Sequence, residues 1–171
     1  MRWTHAIIGV ILACSSGSEA AARPEAAARP VVIAAAGRWA ALRAPAHCEA
    51  ASLALYPAGR TRAQGRASLS FDRRRRGEFS ARLSRAPRAG SSVMLTIGET
   101  PFLLIARGSL AWTRGPAQEQ AIIAALRGGG AMRIEARAPN GARFVDRYAL
   151  GGAPTAIDAA AACAASLPGV R

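Results

Sequence analysis

A parity in one short segment constrains this chain more than any other feature. In "ASLSFDRRRRGEFSARLS" (67–84) the apolar residues Leu69, Phe71, Phe79, Ala81 and Leu83 all fall at odd numbers, on either side of four consecutive arginines. Successive side chains of a strand point to opposite faces, so each flank keeps one apolar face and the charged run between them makes a turn. The segment predicts a β-hairpin with Arg73, Arg74, Arg75 and Arg76 at its tip. The same alternation recurs in "SSVMLTIG" (91–98), where Val93, Leu95 and Ile97 share a face.

Other runs extend the β pattern. "VVIAAAGRWAALR" (31–43) predicts one or two strands around Gly37, and "CEAASLAL" (48–55) another that ends at Tyr56-Pro57. "PFLLIA" (101–106) is continuously apolar, which predicts a strand buried on both faces, with a buried helical segment as the alternative. In "AMRIEARAPNGARFVDRYAL" (131–150) a two-residue Asn140-Gly141 loop would put Met132 and Ile134 on the opposite face from Phe144, Tyr148 and Leu150. A three-residue loop, Asn140-Gly141-Ala142, restores one apolar face, because a slip of one residue flips every side chain. It pairs Met132 with Leu150 and Ile134 with Tyr148, sets Glu135 opposite Arg147, and turns Asp146 inward, where the carboxylate needs a donor.

Two helices interrupt the strands. The first, about 116–127, starts near Pro116 and stops at the glycines after Arg127; Ile122, Ile123 and Leu126 form its apolar stripe, with Gln118, Glu119 and Gln120 toward solvent. The second, about 154–165, follows Gly151-Gly152 and is almost all alanine, with Ile157 and Ala161 on one face and Cys163 close to it. So short and weakly apolar a helix does not stand alone. The fold class expected is mainly β: an antiparallel β-sandwich or partly open barrel with two short α-helices, forming a single β-rich domain over 31–171.

The first 20 residues read as a signal peptide, with Arg2 as the positive end, Ala6 to Ala13 as a short apolar core and small residues after it. That core is far shorter than the roughly 20 residues of a membrane-spanning helix. Two processing routes are open: cleavage after Ala20, or a lipoprotein signal running to Cys14 in "ILAC", which would anchor the protein to a membrane through a lipidated cysteine. Residues 21–30, rich in alanine, proline and charge, predict a disordered linker. Either route leaves Cys48 and Cys163, an even pair that in an exported chain predicts one disulfide; two inert buried thiols are the alternative. The expected location is the periplasm or the outer membrane.

The formal charge is +13, and all 23 basic residues are arginine. A sequence pI near 11.6 implies attraction to polyanions at low salt. Absolute preference for arginine also fits codon bias, which weakens the case for a nucleic-acid partner. Arg73–Arg76 are nonetheless the candidate anion-binding residues, for lipopolysaccharide phosphates or nucleic acid, against a plain solvated turn. Interleaved aromatics, which a single-strand-binding face would need, are absent there.

Candidates for catalysis are few. His47 is the one histidine beyond the signal region and adjoins Cys48, but neighbours on a strand point apart, so they do not form a nucleophile pair. The carboxylates are scattered, and Asp146 reads as a structural buried acid. Imidazole and thiolate ligands are too few for a closed metal site. The expectation is a protein without cofactor, metal or enzymatic activity, whose partner is an envelope protein or an anionic surface.

The order of elements, from "GRWAALRAPAHCEAAS" through "VMLTIGETPFLL" to "AWTRGPAQEQAIIAALRGGGAMRIEARAPNGARFVDRYALGGAPTAI", resembles bacterial secreted proteins of the invasion-associated locus B-like type. The likeness runs from about Trp39 to Ala165 and lacks the further glycine-cysteine element that members carry mid-chain. It implies an exported, non-enzymatic, β-rich protein of the cell envelope, acting as a binding or interaction module. A role in invasion does not transfer with it.

Overall fold

The computed structural model describes residues 29–57 and 63–168. The signal region and Cys14 lie outside the described residues, as does all of the expected linker except Arg29 and Pro30, which are exposed and without regular structure. The strands are β1 (Val31–Ala36), β2 (Trp39–Arg43), β3 (Cys48–Leu53), β4 (Arg66–Phe71), β5 (Arg76–Arg82), β6 (Val93–Ile97), β7 (Thr100–Arg107) and β8 (Leu110–Trp112). Then come α1 (Pro116–Gly128), β9 (Ala131–Arg137), β10 (Arg143–Ala149) and α2 (Ala153–Ala165). The parity of the arginine hairpin holds: Leu69 faces Phe79, Ala67 faces Ala81, and all five odd-numbered apolar residues are buried.

Every pairing is antiparallel, and the ten strands form one sheet in the order β1-β2-β3-β4-β5-β8-β7-β6-β9-β10. The sheet does not close into a barrel; β1 and β10 are its edges. Single bonds nevertheless draw the two ends together. Trp39 Nε1 donates to the Ala149 carbonyl at 2.9 Å, and the Leu55 N–H donates to the Arg147 carbonyl at 2.7 Å. The fold is thus mainly β with two helices, as the strand pattern implied. No helix among the described residues is long and apolar enough to cross a membrane.

The helices cover the apolar face of this sheet. Ile122 and Leu126 of α1 are fully buried, and the helix rests on β5, β6 and β7. Gln118 and Glu119, expected toward solvent, instead fasten its first turn. Gln118 accepts the Arg114 N–H at 2.7 Å and donates to the Leu103 carbonyl at 3.0 Å, and Glu119 accepts from Thr113 Oγ1 at 3.0 Å. These bonds tie the first turn of α1 back to residues 113 and 114 and across to β7, while the N-cap, Gly115, offers no side chain.

Helix α2 lies across β1 to β4. Its buried face is Ala153, Ala156, Ile157, Ala160, Cys163 and Ala164, so small that the helix backbone can approach the sheet closely. Ala161 is exposed, contrary to the expected face: the buried stripe runs through Ala153, Ala156, Ala160 and Cys163, and Ala161 falls on the flank beyond Ile157. Gly152 opens this helix at φ +90°, and a Cβ there would stand 1.9 Å from the Ala36 carbonyl oxygen. Cys163 is disulfide-bonded to Cys48 at the start of β3.

Two strand expectations are corrected. β7 alternates instead of burying both faces: Phe102 and Leu104 are covered while Ile105 is 43% exposed. Double-sided burial belongs to parallel sheets roofed by crossover helices, and an antiparallel strand needs only one covered face. In the last hairpin the apolar face is as expected, with Met132, Ile134, Phe144, Tyr148 and Leu150 all buried, but the register is moved by two residues. Met132 pairs with Tyr148, Ile134 with Asp146, and Glu135 with Val145 instead of Arg147. The loop is Pro139-Asn140-Gly141, closed by the Gly141 N–H on the Ala138 carbonyl (2.8 Å) and the Ala138 N–H on the Ala142 carbonyl (2.8 Å). Gly141 takes φ +81°, and Pro139 leaves the ladder, where its missing N–H would be a defect.

Candidate functional site

The arginine turn is organised by Asp72. Its Oδ1 accepts the backbone N–H groups of Arg74 (2.7 Å) and Arg75 (2.6 Å), and its own N–H donates to the Arg75 carbonyl at 2.9 Å. These backbone hydrogen bonds, first Arg75's and then Arg74's, hold the Asp72 carboxyl below its ordinary pKa. Arg75 pairs with Glu78 (2.9 Å) and Asp72 (3.0 Å), and the hydrogen bond to Glu78 is the main reason its guanidinium binds its proton more tightly than usual.

Arg73 is committed differently. Its Nε and Nη2 donate to the Leu167 carbonyl at 3.1 and 2.7 Å, just beyond α2. No basic residue of α2 itself sits in its last turn, so Arg73 supplies the positive charge that the carbonyl end of a helix favours. Among the described residues, the side chains of Arg74 and Arg76 have no hydrogen-bond or ion-pair partner.

Arg73 spans the gap between the turn and α2, and a hollow lies on each side of it. The larger, about 650 Å³, has Arg73, Arg75 and Arg76 on one wall and Ala161, Ala164 and Ala165 on the other, with Phe71 in its lining. The smaller, about 300 Å³, contains Arg74 and runs past Ala46 to Leu167 and Pro168. The four arginines singled out in the sequence therefore split into two held in place and two presented, one to each hollow.

Asp146 is buried, as its inward register requires, and Oδ2 accepts the Ser84 N–H at 2.8 Å, tying β10 to the loop after β5. Nearby Tyr148 is buried too, and its hydroxyl has no hydrogen-bond partner among the described residues. Burial first, and then the negative charge of Asp146, push the Tyr148 phenol far above its ordinary pKa. Only 3% of Asp146 is exposed and it meets a backbone amide, an arrangement that joins two elements of the fold.

His47 lies in the turn before β3, its carbonyl accepting the Ala44 N–H at 2.9 Å. The sulfur of Cys48 is bonded to Cys163 and is no nucleophile. No group of three or more His, Cys, Asp or Glu residues that could hold a metal ion occurs among the described residues.

One basic cluster had no signature in the sequence. Arg88, Arg137 and Arg143 line a hollow of about 460 Å³ with Ser91, Ser92 and Glu135. The Arg88 N–H donates to the Arg137 carbonyl (2.7 Å), which lays the loop after β5 against the β9–β10 turn. Glu135 bridges Arg133 (3.0 Å) and Arg143 (2.7 Å); the Arg143 hydrogen bond leads in lowering its pKa. Glu135, Arg137 and Arg143 share the β9–β10 hairpin, whereas Arg88, Ser91 and Ser92 come from the loop before β6, far from it in sequence.

Comparison of the chain with known protein families, with characterised proteins and with solved structures finds no match to any of them.

Proposed function

We propose that this protein is an exported, non-catalytic binding module of the cell envelope, and that its binding face is the basic surface between the arginine turn and α2. The observation that carries the reading is the division of labour within the turn. Arg73 and Arg75 are spent on the helix end and on Asp72 and Glu78, which fixes the backbone that offers Arg74 and Arg76 without partners. Two guanidinium groups held at the rims of adjoining hollows suit a multivalent anion, such as the phosphates of lipopolysaccharide or of a nucleic acid.

Export is supported by the charged and apolar pattern of the first 20 residues and by the Cys48–Cys163 bond, since disulfides persist in oxidising compartments. The resemblance to invasion-associated locus B-like proteins points the same way. Under this reading Cys14, if lipidated, tethers the domain to a membrane carrying its anionic partner.

The experiment is binding of the exported domain to lipopolysaccharide and to a single-stranded oligonucleotide, with the Arg74→Ser/Arg76→Ser pair as the variant. Loss of two charge-assisted contacts lowers affinity by at least about tenfold and weakens its salt dependence. Equal binding by the variant and the parent removes the turn from the binding face.

A further inference from the structure

We infer that the larger hollow beside Arg73 takes an anionic amphiphile: a phosphate or carboxylate headgroup on the arginine wall, with its hydrocarbon chain along α2. This inference rests on the anion-binding reading of the arginine turn and narrows its ligand.

Three observations converge on it. The two walls differ in chemistry. On one side Arg76 has no partner among the described residues and Arg75 retains donors beyond those used on Asp72 and Glu78; on the other stand the methyl groups of Ala161, Ala164 and Ala165. A free polyanion has no use for the second wall, whereas an acyl chain does. The volume, about 650 Å³, lies within the range of small-molecule sites, roughly 300–1,000 Å³. The lining also lacks a ring on which a base could stack, since Phe71, its one aromatic residue, is only 5% exposed. That disfavours a nucleic acid here.

Local electrostatics permit an anion despite two negative features. Asp72 accepts two backbone amides and pairs with Arg75, and the Leu167 carbonyl just beyond α2 is held by Arg73. Headgroup and chain thus have separate, adjacent places, set by β4–β5 on one side and by the disulfide-held helix on the other.

The test is calorimetric titration of the disulfide-bonded domain with hexyl, octyl and decyl phosphate below their micelle concentrations, beside inorganic phosphate and oligo-dT. Complete burial of a methylene is worth about fourfold in affinity, so a chain covered on one side should gain about twofold per methylene. Arg76→Ser should weaken every alkyl phosphate about tenfold, and Ala161→Asp, at an exposed position, should flatten the dependence on chain length. Arg74→Ser, on the other hollow, should leave that dependence intact. Equal affinity for hexyl and decyl phosphate, or binding of oligo-dT in preference to both, overturns the amphiphile while leaving an anion site. No binding of any of these probes or of lipopolysaccharide overturns the anion-binding reading as well.

Discussion

Cys163, two residues before the end of α2, is bonded to Cys48, the first residue of β3, 115 positions away in sequence and with Cα atoms 6.1 Å apart. The helix it holds is almost all alanine on its buried face, so each turn contributes little apolar area of its own. The bond therefore does for α2 what large side chains do for α1, where Ile122 and Leu126 reach the core.

Opening this bond should be the most damaging single covalent change. Closing a loop of this length is worth about 4–5 kcal/mol in the chain-entropy picture, which converts to a fall in Tm on the order of 10 °C. Thermal unfolding of oxidised and reduced protein measures it. A difference of less than about 2 °C would mean that α2 is held by its packing alone.

Arg73 should act on stability through the segment that follows α2. Arg73→Ala removes both hydrogen bonds to the Leu167 carbonyl at an exposed site, so a loss of about 0.5–1 kcal/mol is expected. Amide hydrogen exchange should quicken in the last turn of α2. The Arg74→Ser/Arg76→Ser pair should leave both Tm and exchange unchanged.

Gly152→Ala should be severe. The new Cβ would stand 1.9 Å from the Ala36 carbonyl oxygen, on a backbone at φ +90°, so α2 and the end of β1 must separate. A cost of about 3 kcal/mol or more is expected, read from denaturant midpoints. Gly90→Ala, also at positive φ but with open space around it, is the comparison that isolates backbone strain from the clash.

Tyr148 gives an alkaline limit. Its pKa is raised in the folded state, so its contribution to stability is fully present below its ordinary value of 10.0 and is lost as pH climbs above it. Its phenolate absorbance should therefore appear together with loss of structure and not before. Tyr148→Phe should move that transition to higher pH and, by removing a buried hydroxyl without a partner, leave stability at neutral pH unchanged or up to about 1 kcal/mol higher. Ionisation of Tyr148 within an intact fold would contradict the burial argument.

Parity was legible and register was not. Odd-numbered Leu69, Phe71, Phe79, Ala81 and Leu83 had to share a face, because any other arrangement exposes all of them at once. In the last hairpin the same argument correctly chose the face of Met132 and Tyr148, yet it could not separate registers two residues apart, which bury the same side chains. Turn chemistry made that choice, through Pro139 outside the ladder and Gly141 at positive φ. The four arginines were legible from their run. Nothing local showed that Arg73 would bond the Leu167 carbonyl 94 residues away, or that Arg88 would meet Arg137 and Arg143.

Alternation and turn residues thus determined by themselves that this chain would be β-rich with two short helices, because those signals act within a strand or a turn. Tertiary structure alone decided which arginines are tied down and which stand free. That outcome depends on where α2 comes to rest against the β4–β5 turn, and a charged side chain is committed only when a partner arrives from elsewhere in the fold.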